Sequence, residues 1–354
     1  MCRREHRPRG ANHHRDGAPT SEYDFRRCFG HLLRGYLNLL KEAILSSKLK
    51  VAVVGAGGTG GFYGGALAKA GHDVTMIARG PHLAAIKSGG LQVNTVLMGD
   101  YHLDDVAATD DMGSIGVVDL VIFAVKSYGT DAAIEAMAPL IGDGTMIVST
   151  QNGIDSERLL GEALGAEHVL GCAATVSAMI SEPGVIRQGG GPGTMEIGEM
   201  AGGLSERVEE LVAACKDAGI AASTHENIEL GIWQKFTFIC ALSGMTAMTR
   251  KPLGEIFAQE MTTSLYLQVL EEVAAIARAE GIAMPESAAA NILKATQARE
   301  PFIIGSMGHD VIAGNAIEIG LLNGRVVEMG ALHGIATPAN FAVTAALIPS
   351  EKGA

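Results

Sequence analysis

From Leu49 onward the chain alternates short apolar, β-branched runs with longer stretches whose apolar residues recur at helical spacing. The first run, KVAVV, ends directly in a glycine cluster, GAGGTGG, as a buried parallel strand does when it feeds a turn. Comparable runs follow in DVTMIAR, DLVIFAVKS, GTMIVSTQNG and HVLGCAATVSA, and then comes the glycine-rich GVIRQGGGPGTMEIGEM. Strand and helix alternating in this way predict a doubly wound, mostly parallel sheet. The stretch from Ala174 to Gly198 has no intervening helix, which suggests an antiparallel edge. Beyond about Asn227 the pattern is helical throughout. Leu265, Val269, Val273, Ile276 and Ala277 mark one buried helix face, and Gly281 and Pro285 supply its stop. The expected organisation is an α/β dinucleotide-binding domain over 48–226 and an all-α domain over 227–354, with no internal repeat.

Residues 1–47 are a different kind of sequence. Met1 to Lys50 carries 11 Lys and Arg against 5 Asp and Glu, while the 354-residue chain has a net charge of −12. The opening lacks apolar periodicity and mixes Pro, Gly, Arg and His, so it is expected to be disordered, with a weak helix over 29–45. Glu5, Asp16, Glu22 and Asp24 are unlike an organellar targeting peptide, so an inert extension or a mis-assigned start is the expectation.

The acidic balance repels a phosphate backbone and argues against nucleic-acid binding. No apolar run is long enough to span a bilayer. Cys2, Cys28, Cys172, Cys215 and Cys240 lie far apart, with no C-x-x-C pair and no histidine clustering that would suggest a metal. These features point to a cytoplasmic protein with reduced thiols, no metal and no membrane partner; a homodimer is one assembly left open.

Gly55, Gly57 and Gly60 form G-x-G-x-x-G between an expected strand and an expected helix. In that context Gly55, Ala56, Gly57, Gly58, Thr59 and Gly60 form a dinucleotide turn of the Rossmann type, with phosphates on backbone amides. The second strand ends in Ala78-Arg79-Gly80, where an NAD enzyme usually places a carboxylate for the ribose 2′-hydroxyl. An arginine suits a 2′-phosphate, so NADPH is the expected cofactor and Arg79 its selector. Lys126 and Asn152 stand at the carboxyl ends of apolar strands, the ligand edge of such sheets, although Asn152-Gly153 is equally a turn. Lys235 sits among Trp233, Phe236, Phe238 and Ile239. It either snorkels or is partly desolvated and suited to give up a proton near neutral pH. Glu318 and Asn323 face a cleft or decorate a helix.

Taken in order, these residues resemble the ketopantoate reductase (2-dehydropantoate 2-reductase) family, a two-domain group within the 6-phosphogluconate-dehydrogenase-like reductases. The match runs from about Lys50 to Asn340. It rests on VVGAGGTGG, the Arg79 strand tip, AVKSY, TQNGID, IWQKF and the motif set from Ser306 to Pro338. The resemblance implies an NADPH-dependent reduction of a small 2-oxo acid. Lys235 is then the general acid, Glu318 orients substrate and lysine, Lys126 and Asn152 lie beside the nicotinamide ribose and carbonyl, and Ser306 meets the substrate carboxylate. The family's pattern departs at Ile239 and Ser243, where asparagines are usual, and at Gly320, where an aspartate is common. Ser243 is expected to retain one substrate contact. The substrate is then 2-dehydropantoate or a related branched 2-oxo acid, and a non-catalytic NADPH-binding sensor is the alternative.

Overall fold

The computed structural model describes residues 48–353; the expected disordered leader and its weak helix lie outside the described residues. One mixed sheet holds β1 (Lys50–Val54), β2 (Asp73–Ile77), β3 (Leu91–Thr95), β4 (Tyr101–Leu103), β5 (Ala107–Thr109), β6 (Leu120–Phe123), β7 (Met146–Ser149), β8 (Val169–Glu182), β9 (Val185–Glu199) and β10 (Ala221–Thr224). Its order is β4-β3-β9-β8-β7-β6-β1-β2-β5, with β10 also paired to β9.

β1 pairs in parallel with β2 on one side and β6 on the other, so the chain reverses its direction of travel at β1. The crevice beyond that strand is where open α/β sheets take their ligands. Registers are flush at this edge: Val54 faces both Ile77 and Phe123, and Phe123 faces Ser149. The residues that follow therefore emerge at one level, namely Gly55, Ala78, Ala124 and Thr150. Alternation along β1 feeds two cores, Val51 and Val53 on one face and Ala52 and Val54 on the other.

β8 and β9 are antiparallel, as expected, but they are not an edge, because β9 is also flanked by β3 and β10. β3, β4, β5 and β10 have three to five residues each, too few to announce themselves by periodicity.

The helical part begins where Asn227 caps the Ile228–Thr249 helix by accepting a hydrogen bond from the Leu230 amide at 3.2 Å. The Glu260–Ala279 helix buries Val269, Val273, Ile276 and Ala277 completely and Leu265 partly, and Gly281 takes a left-handed φ of +84° just beyond it. These helices share a third core. No helix among the described residues is long and apolar enough to cross a membrane.

Candidate active site

The glycine turn is shaped by what surrounds it. Gly55 has a φ of +95°, and a Cβ there would stand 2.8 Å from the Val125 amide. At Gly60 a Cβ would meet the Gly55 carbonyl at 2.3 Å, so the helix it opens packs tightly on the turn. Gly58 has a packing reason the motif did not reveal: β8 crosses it, and a Cβ would lie 2.1 Å from the Ala178 carbonyl oxygen. Gly57 differs, with nothing within 4 Å of a Cβ, which leaves open space beside the free amides of the Gly58–Lys69 helix N-terminus. This open cradle fits a dinucleotide pyrophosphate. Ala56 is buried and Thr59 half-buried.

Buried His82, not singled out by its position in the sequence, ties this turn to the hairpin. Its Nε2–H donates to the Ala56 carbonyl at 2.9 Å while Nδ1 accepts the Gly184 amide at 3.0 Å. Burial lowers its proton affinity, in keeping with the neutral ring this pairing needs. Arg79 is exposed at the tip of β2, where it begins the Gly80–Gly89 helix.

Loops after β6 and β7 meet the helical part. Lys126 Nζ lies 3.7 Å from Asp310 Oδ2 and 3.8 Å from Glu318 Oε2, and the Ser127 amide donates to Glu318 Oε1 at 3.0 Å. Gln151, overlooked beside Asn152, knits the two loops together. Its Nε2 donates to the Val125 carbonyl and to Thr130 Oγ1, and its Oε1 accepts from Ser156. Asn152 is half-buried, and Gly153, with a φ of +105°, comes close to Leu321. Asp155 continues the contact with an ion pair to Arg325 at 3.0 Å. Ser127, Tyr128, Glu318 and Leu321 line a cleft of about 790 Å³.

Lys235 projects from the Ile228–Thr249 helix and its half-buried ammonium donates to the Gln151 carbonyl at 3.3 Å. Burial lowers its proton affinity, and the nearby Cys172 and Glu157 oppose that shift. Glu157 is the carboxylate the sequence reading missed. It is buried, and desolvation pushes its pKa up to about 7 against the pull of Lys235. In the sequence it is one more acidic residue in the first turn of a helix, the Ser156–Leu164 helix.

The implied partnership of Glu318 with Lys235 takes another form here. Glu318 is held by Lys126 and Ser127, and no hydrogen bond or ion pair joins it to Lys235. Ser306 is exposed at the start of the Ser306–Ala313 helix. Ser243, expected at the substrate, is only 2% exposed, because Gly305 packs onto it: a Cβ there would be 2.8 Å from its Oγ. Asn323 faces the core rather than a cleft, donating to the Cys240 carbonyl and to Asn340. Ile239 packs on the helical core.

Against known proteins, residues 51–202 match the family model for ketopantoate reductase PanE/ApbA and residues 227–351 match its C-terminal counterpart. A 2-dehydropantoate 2-reductase of Pyrococcus horikoshii is 32% identical, across 86% of this chain and 98% of its own length. One of Mesorhizobium japonicum is 30% identical over 84% and 96%. A crystal structure of a PanE/ApbA family ketopantoate reductase from Ralstonia eutropha superposes with a TM-score of 0.77 at 33% identity, covering 85% of this chain and 98% of that one. The two successive family matches span the glycine turn, the strand-end loops and the lysine helix alike, and the chain belongs to the ketopantoate reductase family.

Proposed function

We propose that the chain reduces a small 2-oxo acid, 2-dehydropantoate or a related branched one, to the 2-hydroxy acid with NADPH, and that Lys235 donates the proton. The observation that carries this is the placement of Lys235, whose half-buried ammonium is bonded to the Gln151 carbonyl just past the end of β7. That is the edge at which the glycine turn opens. A reduced nicotinamide bound there supplies the hydride.

The chain's own residues do the rest. Desolvation makes Lys235 readier to release a proton, and its charge stabilises the alkoxide as it develops. The Gln151 carbonyl holds the ammonium, and the charge of Glu157 favours its protonated form. Glu318, fixed by Ser127, and Asn152 orient the substrate, while Lys126 takes the ribose side. Ser306 offers its hydroxyl, and its helix start the amides, to the substrate carboxylate.

Loss of NADPH absorbance with a panel of 2-oxo acids tests the reading. Lys235→Ala is expected to lower turnover by about 10²–10⁴. A fall of less than about tenfold, or no turnover of any 2-oxo acid by the native chain, refutes it.

A further inference from the structure

The Ile228–Thr249 helix presents two sides around Lys235. Residues advance by roughly 100° each, so Gly231, Gln234 and Phe238 fall on one side of the lysine and Ile239 and Ser243 on the other. On the second side Ile239 packs on the helical core and Ser243 is covered by Gly305. On the first side lies a separate cavity of about 220 Å³, walled by Lys235, Gln234 and Phe238, by Thr175 and Thr194 of the sheet, and by Arg299.

Arg299 is exposed, its guanidinium carbon stacked 4.6 Å from the centre of the Phe238 ring. It forms no ion pair with any described residue. Stacking holds the guanidinium plane while leaving its N–H edges to face a planar anion. Glu196 also reaches the cavity, but at its other end: its Oε2 is 3.5 Å from the Cβ position of Gly231. Gly231 lies seven residues, or roughly 10 Å of helix, before Phe238. The cavity is therefore polarised, acidic near Gly231 and cationic near Phe238, with Lys235 between.

We propose that this cavity is a specificity subsite in which Arg299 binds a second anionic group of the substrate while Lys235 meets the oxo group. This rests on the role given to Lys235 above but departs from the branched monoacids named there, making 2-oxo acids with a distal carboxylate the preferred substrates. The C1 carboxylate is one bond from the reacting carbon, whereas the guanidinium stacks on Phe238, about one helical turn beyond Lys235, so a group further along the substrate is the one to meet it. A cavity of about 220 Å³ has room for two or three methylenes and a carboxylate.

The test compares kcat/KM with NADPH for 2-oxoglutarate and 2-oxoadipate against 2-oxobutyrate and 2-oxoisovalerate, in the native chain and in Arg299→Gln. The native chain is expected to favour the diacids, and the ratio of diacid to monoacid is expected to fall about 10- to 100-fold in the variant, the worth of a charge-assisted pair. No native preference, or an unchanged ratio, overturns the subsite. Calorimetric titration of glutarate, which has no oxo group to reduce, separates this from the reduction itself. Tighter binding to the native chain than to Arg299→Gln upholds the subsite even if no 2-oxo acid turns over, and equal or absent binding overturns it.

Discussion

Glu318 accepts a hydrogen bond from the Ser127 amide at 3.0 Å, joining two residues 191 positions apart. Its second oxygen lies 3.8 Å from Lys126 Nζ, but that lysine is half exposed, and an exposed ion pair contributes little. The amide bond is the stronger tie, because it reaches a carboxylate that is largely shielded. It fixes the loop after β6 against the segment that carries Glu318.

Replacing Glu318 with alanine is expected to free that loop and to lower kcat/KM for the 2-oxo acid by tenfold or more, taking the charged bond at about 1.5–3 kcal/mol. Glu318→Gln keeps an acceptor for Ser127 and loses the charge toward Lys126, so an intermediate loss is expected. Steady-state kinetics, with melting curves to confirm folding, decide the matter. An alanine variant with native kinetics removes Glu318 from the site.

Glu157 is expected to set the pH range of the reaction through Lys235. Its negative charge supports the ammonium, so Glu157→Gln should lower the lysine's proton affinity further and move the alkaline limb of the kcat/KM profile to lower pH. Stability gives a second, independent readout. The folded pKa of Glu157, about 7, lies above its ordinary 4.5. Its contribution is therefore complete below that ordinary value and is lost as pH rises through the folded one. Denaturant titrations at about pH 5 and pH 8 should show the native chain losing more stability over that interval than Glu157→Gln does. Identical profiles would leave the carboxylate without influence on Lys235.

Two glycines of one motif should fail in different ways. Gly57→Ala adds a methyl to open space, so the melting temperature should hold while NADPH affinity falls, because the methyl occupies the approach of the pyrophosphate. Gly60→Ala drives a Cβ to 2.3 Å from the Gly55 carbonyl. The gain of about 1 kcal/mol usual for Gly→Ala within a helix is then outweighed by a backbone clash of about 1–3 kcal/mol. Melting curves and fluorescence titration with NADPH separate the two defects.

What the sequence announced and what it concealed follow from distance along the chain. The glycine turn, Lys126, Asn152 and Lys235 each stand in or beside an apolar run, where a polar or glycine residue breaks a local pattern. Glu157 breaks none, since its burial comes from surrounding elements while its neighbours read as an ordinary helix start. Ser243 is covered by Gly305 and Asn323 is turned toward Asn340, both packing relations that no window of local sequence contains. β3 and β10 gain their strand character from pairing with β9 more than from their own few residues.

Cofactor choice is expected to depend on Arg79. β2 delivers it to the ligand edge: the Ala78 amide is tied to the Thr109 carbonyl at 3.0 Å, and Arg79 follows in extended backbone, exposed. No carboxylate stands between Ile77 and Gly80 to take a ribose 2′-hydroxyl. A guanidinium at this tip gains from a 2′-phosphate what it cannot gain from a hydroxyl. Arg79→Ala should therefore reduce the ratio of NADPH to NADH affinity by about 10- to 100-fold. The pairing lies at the surface, so the native preference should also weaken as salt is raised, and that salt dependence should flatten in the variant. Titration of both cofactors across a salt series measures both effects, and an unchanged ratio in Arg79→Ala would assign the selection to another residue.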